Sequence, residues 1–87
     1  MNTSLKLSPA QQLGRMIREA RNVSQEGLAE VVGTKQPVIS RYERGAAIPS
    51  SRHLSVLIHH LGLDAERVYD LVRRHYAEQG NVGGDAA

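Results

Sequence analysis

Ser24-Gln25-Glu26-Gly27-Leu28-Ala29-Glu30-Val31-Val32-Gly33-Thr34-Lys35-Gln36-Pro37-Val38-Ile39-Ser40-Arg41-Tyr42 is the stretch on which the fold turns. Ser24 is a good helix cap, and Val23 and Leu28 stand at the two positions that staple a chain across an N-cap. Leu28, Ala29, Val31 and Val32 supply an apolar stripe at helical spacing. Gly33 then stops the helix, because glycine accepts the left-handed conformation that closes many helices. Gly27 is out of place in a helix interior and costs up to about 1 kcal/mol relative to alanine. A second helix, expected over about Lys35 to Tyr42, starts at once, with Thr34 as its cap and Lys35, Gln36 and Pro37 in the first turn, where a proline displaces no intrahelical bond. Ile39 and Tyr42 face inward on it, and Lys35, Gln36, Ser40 and Arg41 face outward.

The flanking sequence adds three more helices. Ser8-Pro9-Ala10-Gln11 carries a cap, a first-turn proline and the partner for a capping box, followed by Leu13, Met16, Ile17 and Ala20 at helical spacing up to about Arg21-Asn22. After Arg44-Gly45-Ala46-Ala47-Ile48-Pro49-Ser50 comes a helix with Leu54, Leu57, Ile58 and Leu61, ended by Gly62. Asp64 caps a last helix from about Ala65 to Glu78, with Val68, Leu71, Val72 and His75 on one side. No window alternates apolar and polar residues as a strand does, so the expected fold class is all-α, a compact five-helix domain over residues 8–78. Residues 1–7 read as a flexible N-terminal arm, and the glycine-rich residues 79–87 as a disordered tail.

Composition narrows the function classes. The chain has 87 residues, room for one domain, and 40% hydrophobic residues with only 3% aromatics, which suits a small aliphatic helical core. With no cysteine, disulfides and thiolate chemistry are excluded. Neither a secretory h-region nor a run of about 20 apolar residues is present, so the expected location is cytoplasmic, with no membrane contact. The net charge is +2. Arg15, Arg18, Arg21, Lys35, Arg41 and Arg44 face only Glu19, Glu26, Glu30 and Glu43 between Leu13 and Gly45, a mild polyanion signal in the first half.

Two short helices joined across Val32-Gly33-Thr34, the second with polar residues at its start, form the helix-turn-helix pattern. Leu13-Gly14-Arg15-Met16-Ile17-Arg18-Glu19-Ala20-Arg21, Ser24-Gln25-Glu26-Gly27-Leu28-Ala29 and Tyr42-Glu43-Arg44-Gly45 with Pro49 arrive in order. Together they resemble the lambda-repressor-like, Cro/CI-type (xenobiotic-response-element) helix-turn-helix family over about Ala10 to Leu71. The resemblance implies a five-helix DNA-binding transcriptional regulator, commonly a dimeric repressor. It further implies a phosphate-touching role for Gln25, in support of the recognition helix, and a structural ion pair between Arg18 and Glu43.

A major groove admits one helix, whose first exposed turns reach base edges, so the base-reading candidates are Lys35, Gln36, Pro37, Ser40 and Arg41. Gln36 can pair with adenine N7 and N6, Arg41 or Lys35 with guanine O6 and N7, and Pro37 can touch a thymine methyl. Gln25 stands where helix N–H groups favour an anion, and Arg44 and Arg52 are further phosphate candidates; each has the plainer reading of a solvated surface residue. The partner is then double-stranded DNA, a palindromic operator bound by a homodimer. The dimer surface is expected on helix 5 through Val68, Leu71, Val72 and Tyr76, unless these only complete the monomer core.

His53 and His60 lie two turns apart on one helix face without a third ligand, so no metal and no cofactor are expected. The expectation is also that the chain is not an enzyme, because no nucleophile–base pair, carboxylate dyad or phosphate loop converges. The competing reading is an antitoxin or adaptor whose main partner is another protein, with autoregulatory DNA binding.

Overall fold

The computed structural model describes residues 6–79 and contains five helices: α1 (Pro9–Ala20), α2 (Gln25–Val32), α3 (Gln36–Arg44), α4 (Ser51–Leu61) and α5 (Ala65–Glu78). Among the described residues there is no strand. The expected arm and tail lie largely outside these residues. Lys6 and Leu7 are non-helical, and the Leu7 carbonyl accepts from Gln12 Nε2 at 3.1 Å.

Four of the five starts are capped by the side chains that the sequence offers. Ser8 Oγ accepts from the Gln11 N–H at 3.1 Å while Gln11 Oε1 accepts from the Ser8 N–H at 3.0 Å, a complete capping box. Ser24, Ser50 and Asp64 cap α2, α4 and α5 through the N–H groups of Gly27, His53 and Arg67.

The start of α3 differs from expectation. Lys35, not Thr34, is the N-cap residue, it makes no side-chain cap bond, and α3 runs to Arg44 rather than to Tyr42. The cause lies in how α2 closes. Gly33 adopts φ +85°, and the N–H groups of Gly33 and Thr34 both donate to the Ala29 carbonyl, at 2.8 and 2.9 Å. Thr34 is thereby spent on finishing α2, and the chain extends one residue further before it coils again.

The core is aliphatic, as the composition requires. Leu13, Ile17, Leu28, Ala29, Val32, Ile39, Tyr42, Leu54, Leu57, Val68 and Leu71 form one buried cluster drawn from all five helices. Helix α1 packs on both α3 and α5, and α2 packs on α3 and α4. Val31, expected in the buried stripe, is 44% exposed. At about 100° per residue it stands roughly 100° round from the middle of the Leu28, Ala29, Val32 stripe, which is enough to leave the core. Val23 is exposed as well and lies beside Gly27.

Two glycines set how closely α1 approaches α3. A Cβ on Gly14 would run into the backbone carbonyls of Tyr42 and Glu43, with the Glu43 carbonyl carbon only 2.7 Å away. Gly45 sits at φ +75°, where a side chain is strained, and a Cβ there would lie 2.7 Å from Gln11 Cα. The end of α3 is thus clamped backbone to backbone against the start and middle of α1.

Candidate nucleic-acid interface

Helix α3 has one face in the core and one in solvent. Ile39 and Tyr42 are buried, while Lys35, Pro37, Arg41 and Arg44 are exposed and Gln36 and Ser40 are half-buried beside them. The inward and outward sets are those expected from the spacing. The side chains of the outward set differ in how firmly they are held, and those differences decide their chemistry.

Gln36 is the most constrained. Its Nε2 donates to Gln25 Oε1 at 2.6 Å, and Gln25 Nε2 donates in turn to Glu43 Oε1 at 2.9 Å. Arg21 completes the chain: its Nε donates to Glu43 Oε2 at 2.6 Å, and its Nη1 to the Val23 carbonyl at 2.7 Å. Four polar side chains from α1, α2 and α3 therefore form one relay from the end of α1 to the first turn of α3. The Glu43 side chain at its centre is only 5% exposed, so its charge is compensated locally and its geometry fixed. That bond uses one hydrogen of the Gln36 amide and leaves its Oε1 and second hydrogen without a partner among the described residues, a donor–acceptor pair of the kind that an adenine edge complements.

The ion pair of Glu43 is the principal correction to the sequence reading. Arg21, rather than Arg18, holds the carboxylate. Arg21 is the residue at which α1 ends, with extended backbone at φ −77° and ψ 138°, so its side chain swings across the end of α3. Arg18 stays on the last helical turn and is exposed. Nothing in the spacing distinguishes the two, since they lie three residues apart on one helix face.

The phosphate candidates occupy three places. Gln25 is at the first position of α2 and is half-buried in the relay. The Nε of Arg44 donates to Ser40 Oγ at 3.3 Å, which lays its guanidinium along α3. Arg52 lies in the first turn of α4, its guanidinium 3.9 Å from where a Cβ on Gly33 would stand, beside the turn between α2 and α3.

One contact went unread in the sequence. Tyr42 Oη and His53 Nδ1 are 2.8 Å apart, with the rings edge to face at 5.9 Å between centroids. This bond ties α3 to the first turn of α4. Burial pushes the Tyr42 hydroxyl above its ordinary range, against the smaller opposing effects of a hydrogen bond to the Ser50 backbone and the charge of Arg41. Among the described residues no three metal-ligating side chains come together, and no helix is long and apolar enough to cross a membrane.

The expected dimer surface on α5 also needs correction. Val68 and Leu71 are 0% exposed and belong to the monomer core, and Val72 packs partly against that core. Of the four named residues only Tyr76, at 57%, is well exposed; Tyr69, seven residues before it on the same helix face, is exposed too.

Neither the curated proteins nor the solved structures give a match to the chain. The helix-turn-helix family model does match, over residues 15–68, from the middle of α1 into the first turn of α5. That span holds the glycine-closed pair α2 and α3, the relay that braces them and most of the aliphatic core. The chain belongs to the Cro/CI-type helix-turn-helix family of DNA-binding regulators.

Proposed function

We propose that the protein is a sequence-specific repressor that binds a palindromic duplex operator as a homodimer and reads base edges in the major groove with the outer face of α3. The observation that carries this reading is the Gln36–Gln25–Glu43–Arg21 relay, which holds a base-reading amide on an otherwise open helix face. A side chain held this way loses little rotamer freedom on binding, so its two hydrogen bonds to a base edge are not offset by ordering. Lys35, Pro37, Ser40 and Arg41 flank Gln36 and complete the reading surface. Gln25, Arg44 and Arg52 face the flanking phosphates, with the free N–H groups at the start of α2 favouring the same anion.

The dimer follows from size. Specific protein–DNA interfaces bury about 1,000–2,500 Å² of protein, more than one α3 face offers, and two-fold dimers spanning half-sites one turn apart supply it. The exposed part of α5, around Tyr76 and Tyr69 with Val72 at its edge, is the surface for that contact. Selection of bound duplexes from a random pool tests the reading. It should return inverted half-sites spaced by about one helical turn, roughly 10 base pairs. Recovery of no consensus, or of a consensus without two-fold symmetry, would overturn it.

A further inference from the structure

We propose that Arg18 and Arg44 form a clamp for one DNA phosphate at the junction of α1 and α3. The proposal rests on the duplex-binding reading above and adds a site to it. A cleft of about 260 Å³ opens there, lined by Arg18, Arg21, Gln25, Ser40, Glu43 and Arg44.

The electrostatics of this cleft are lopsided. Three guanidinium groups border it against a single carboxylate, and that carboxylate is already saturated by Arg21 and Gln25. Glu43 therefore neutralises Arg21 beneath the surface and leaves the outer two arginines uncompensated. Arg18 has no ion-pair partner among the described residues, and neither has Arg44. Arg44 is held over the cleft by its bond to Ser40 Oγ. A cleft with two uncompensated cations at its edge fits a monoanionic oxyanion, and a guanidinium fork matches two oxygens of one phosphate.

Position relative to the reading surface favours a backbone phosphate. Gln36, Ser40 and Arg44 lie four residues apart and form one row along α3. At about 1.5 Å per residue the row spans roughly 12 Å, close to the width of the major groove. With Gln36 on a base edge, the far end of the row meets the sugar–phosphate wall, and Arg18 closes on it from α1. Because Arg21 holds the Glu43 carboxylate, the charge of Arg18 at the cleft stays uncompensated.

The test compares Arg18→Ala, Arg18→Lys and Arg21→Ala in the full chain, by thermal melting and by duplex affinity between 50 and 200 mM salt on both a selected operator and a random duplex. Arg18→Ala should melt with the wild type, weaken both duplexes by the same factor, and lower the slope of log affinity against log salt by about one. Its affinity deficit should accordingly shrink roughly three- to fourfold across that salt range. Arg18→Lys should keep the slope, and Arg21→Ala should melt earlier. An unchanged slope in Arg18→Ala overturns the clamp, whether or not melting falls, and so does a loss confined to particular base pairs. A wild-type chain whose duplex affinity ignores salt overturns the binding reading itself, and the clamp with it.

Discussion

Alanine at Gly14 and alanine at Gly27 are the same substitution in two helix interiors, and the structure gives them opposite signs. At Gly14 the added methyl meets the carbonyls of Tyr42 and Glu43, backbone atoms that no rotamer change can move aside. Overpacking costs about 1–3 kcal/mol, and rigid neighbours place this site at the upper end. The better helix propensity of alanine returns about 1 kcal/mol, which leaves a net loss of roughly 2 kcal/mol. For a domain of this size that lowers the melting temperature by roughly 8–16 °C. At Gly27 the methyl meets nothing closer than 3.4 Å, at Ser24 Oγ and Val23 Cβ. Here only propensity acts, and stability should rise by up to about 1 kcal/mol, or roughly 4–8 °C. Thermal unfolding followed by far-ultraviolet circular dichroism measures both. A Gly14→Ala protein that melts with or above the wild type would refute the close approach of α1 to α3 on which the clamping of the recognition helix depends.

Three further outcomes follow from single contacts. Ser24→Ala removes the cap of α2 and should cost about 1 kcal/mol in chemical denaturation, with base preference unchanged. Glu43→Gln keeps the shape of the relay but strips the charge from its bond to Arg21; it should cost about 1.5–3 kcal/mol by the same measurement. Tyr42 has a folded-state pKa above its ordinary 10.0, so the folded state holds that proton more tightly than the unfolded chain. The stability it contributes is present in full below about pH 10 and is lost as pH rises through the folded value. Tyr42→Phe should therefore flatten the alkaline limb of the stability profile, and an unchanged limb would show that the hydroxyl is not buried.

Most of the fold was legible in the sequence because its determinants are local. The Ser8–Gln11 box, the caps at Ser24, Ser50 and Asp64, and the stops at Gly33 and Gly62 are each settled within a few residues. The start of α3 was misplaced by one residue because a cap preference at Thr34 competes with the closure of α2, and the backbone bond to Ala29 wins. The site divides along the same line. The faces of α3 follow from helical spacing, which put Ile39 and Tyr42 inside and Gln36 and Arg41 outside. Which arginine reaches Glu43 depends on where α1 breaks and how the chain leaves it, a matter of tertiary geometry, as is the meeting of Tyr42 with His53. The burial of Val68 and Leu71 was equally beyond reach, since an apolar stripe on a terminal helix looks the same whether it meets the monomer core or a second copy.

The most direct test of the central claim, that the outer face of α3 reads base edges, is a panel of single-base operator variants measured against the wild type, Gln36→Ala, Arg41→Ala and Ile39→Ala, with thermal unfolding alongside. Arg41→Ala should keep the wild-type melting temperature, Gln36→Ala should lose only the roughly 0.5–1.5 kcal/mol of its bond to Gln25 and stay folded, and each should lose about 1–3 kcal/mol of discrimination at a few symmetric positions. Ile39, wholly buried, should instead cost about 2–5 kcal/mol of folding stability when truncated. If the two polar substitutions unfold the domain, or leave discrimination intact at every position, α3 is not the reading helix in the orientation described.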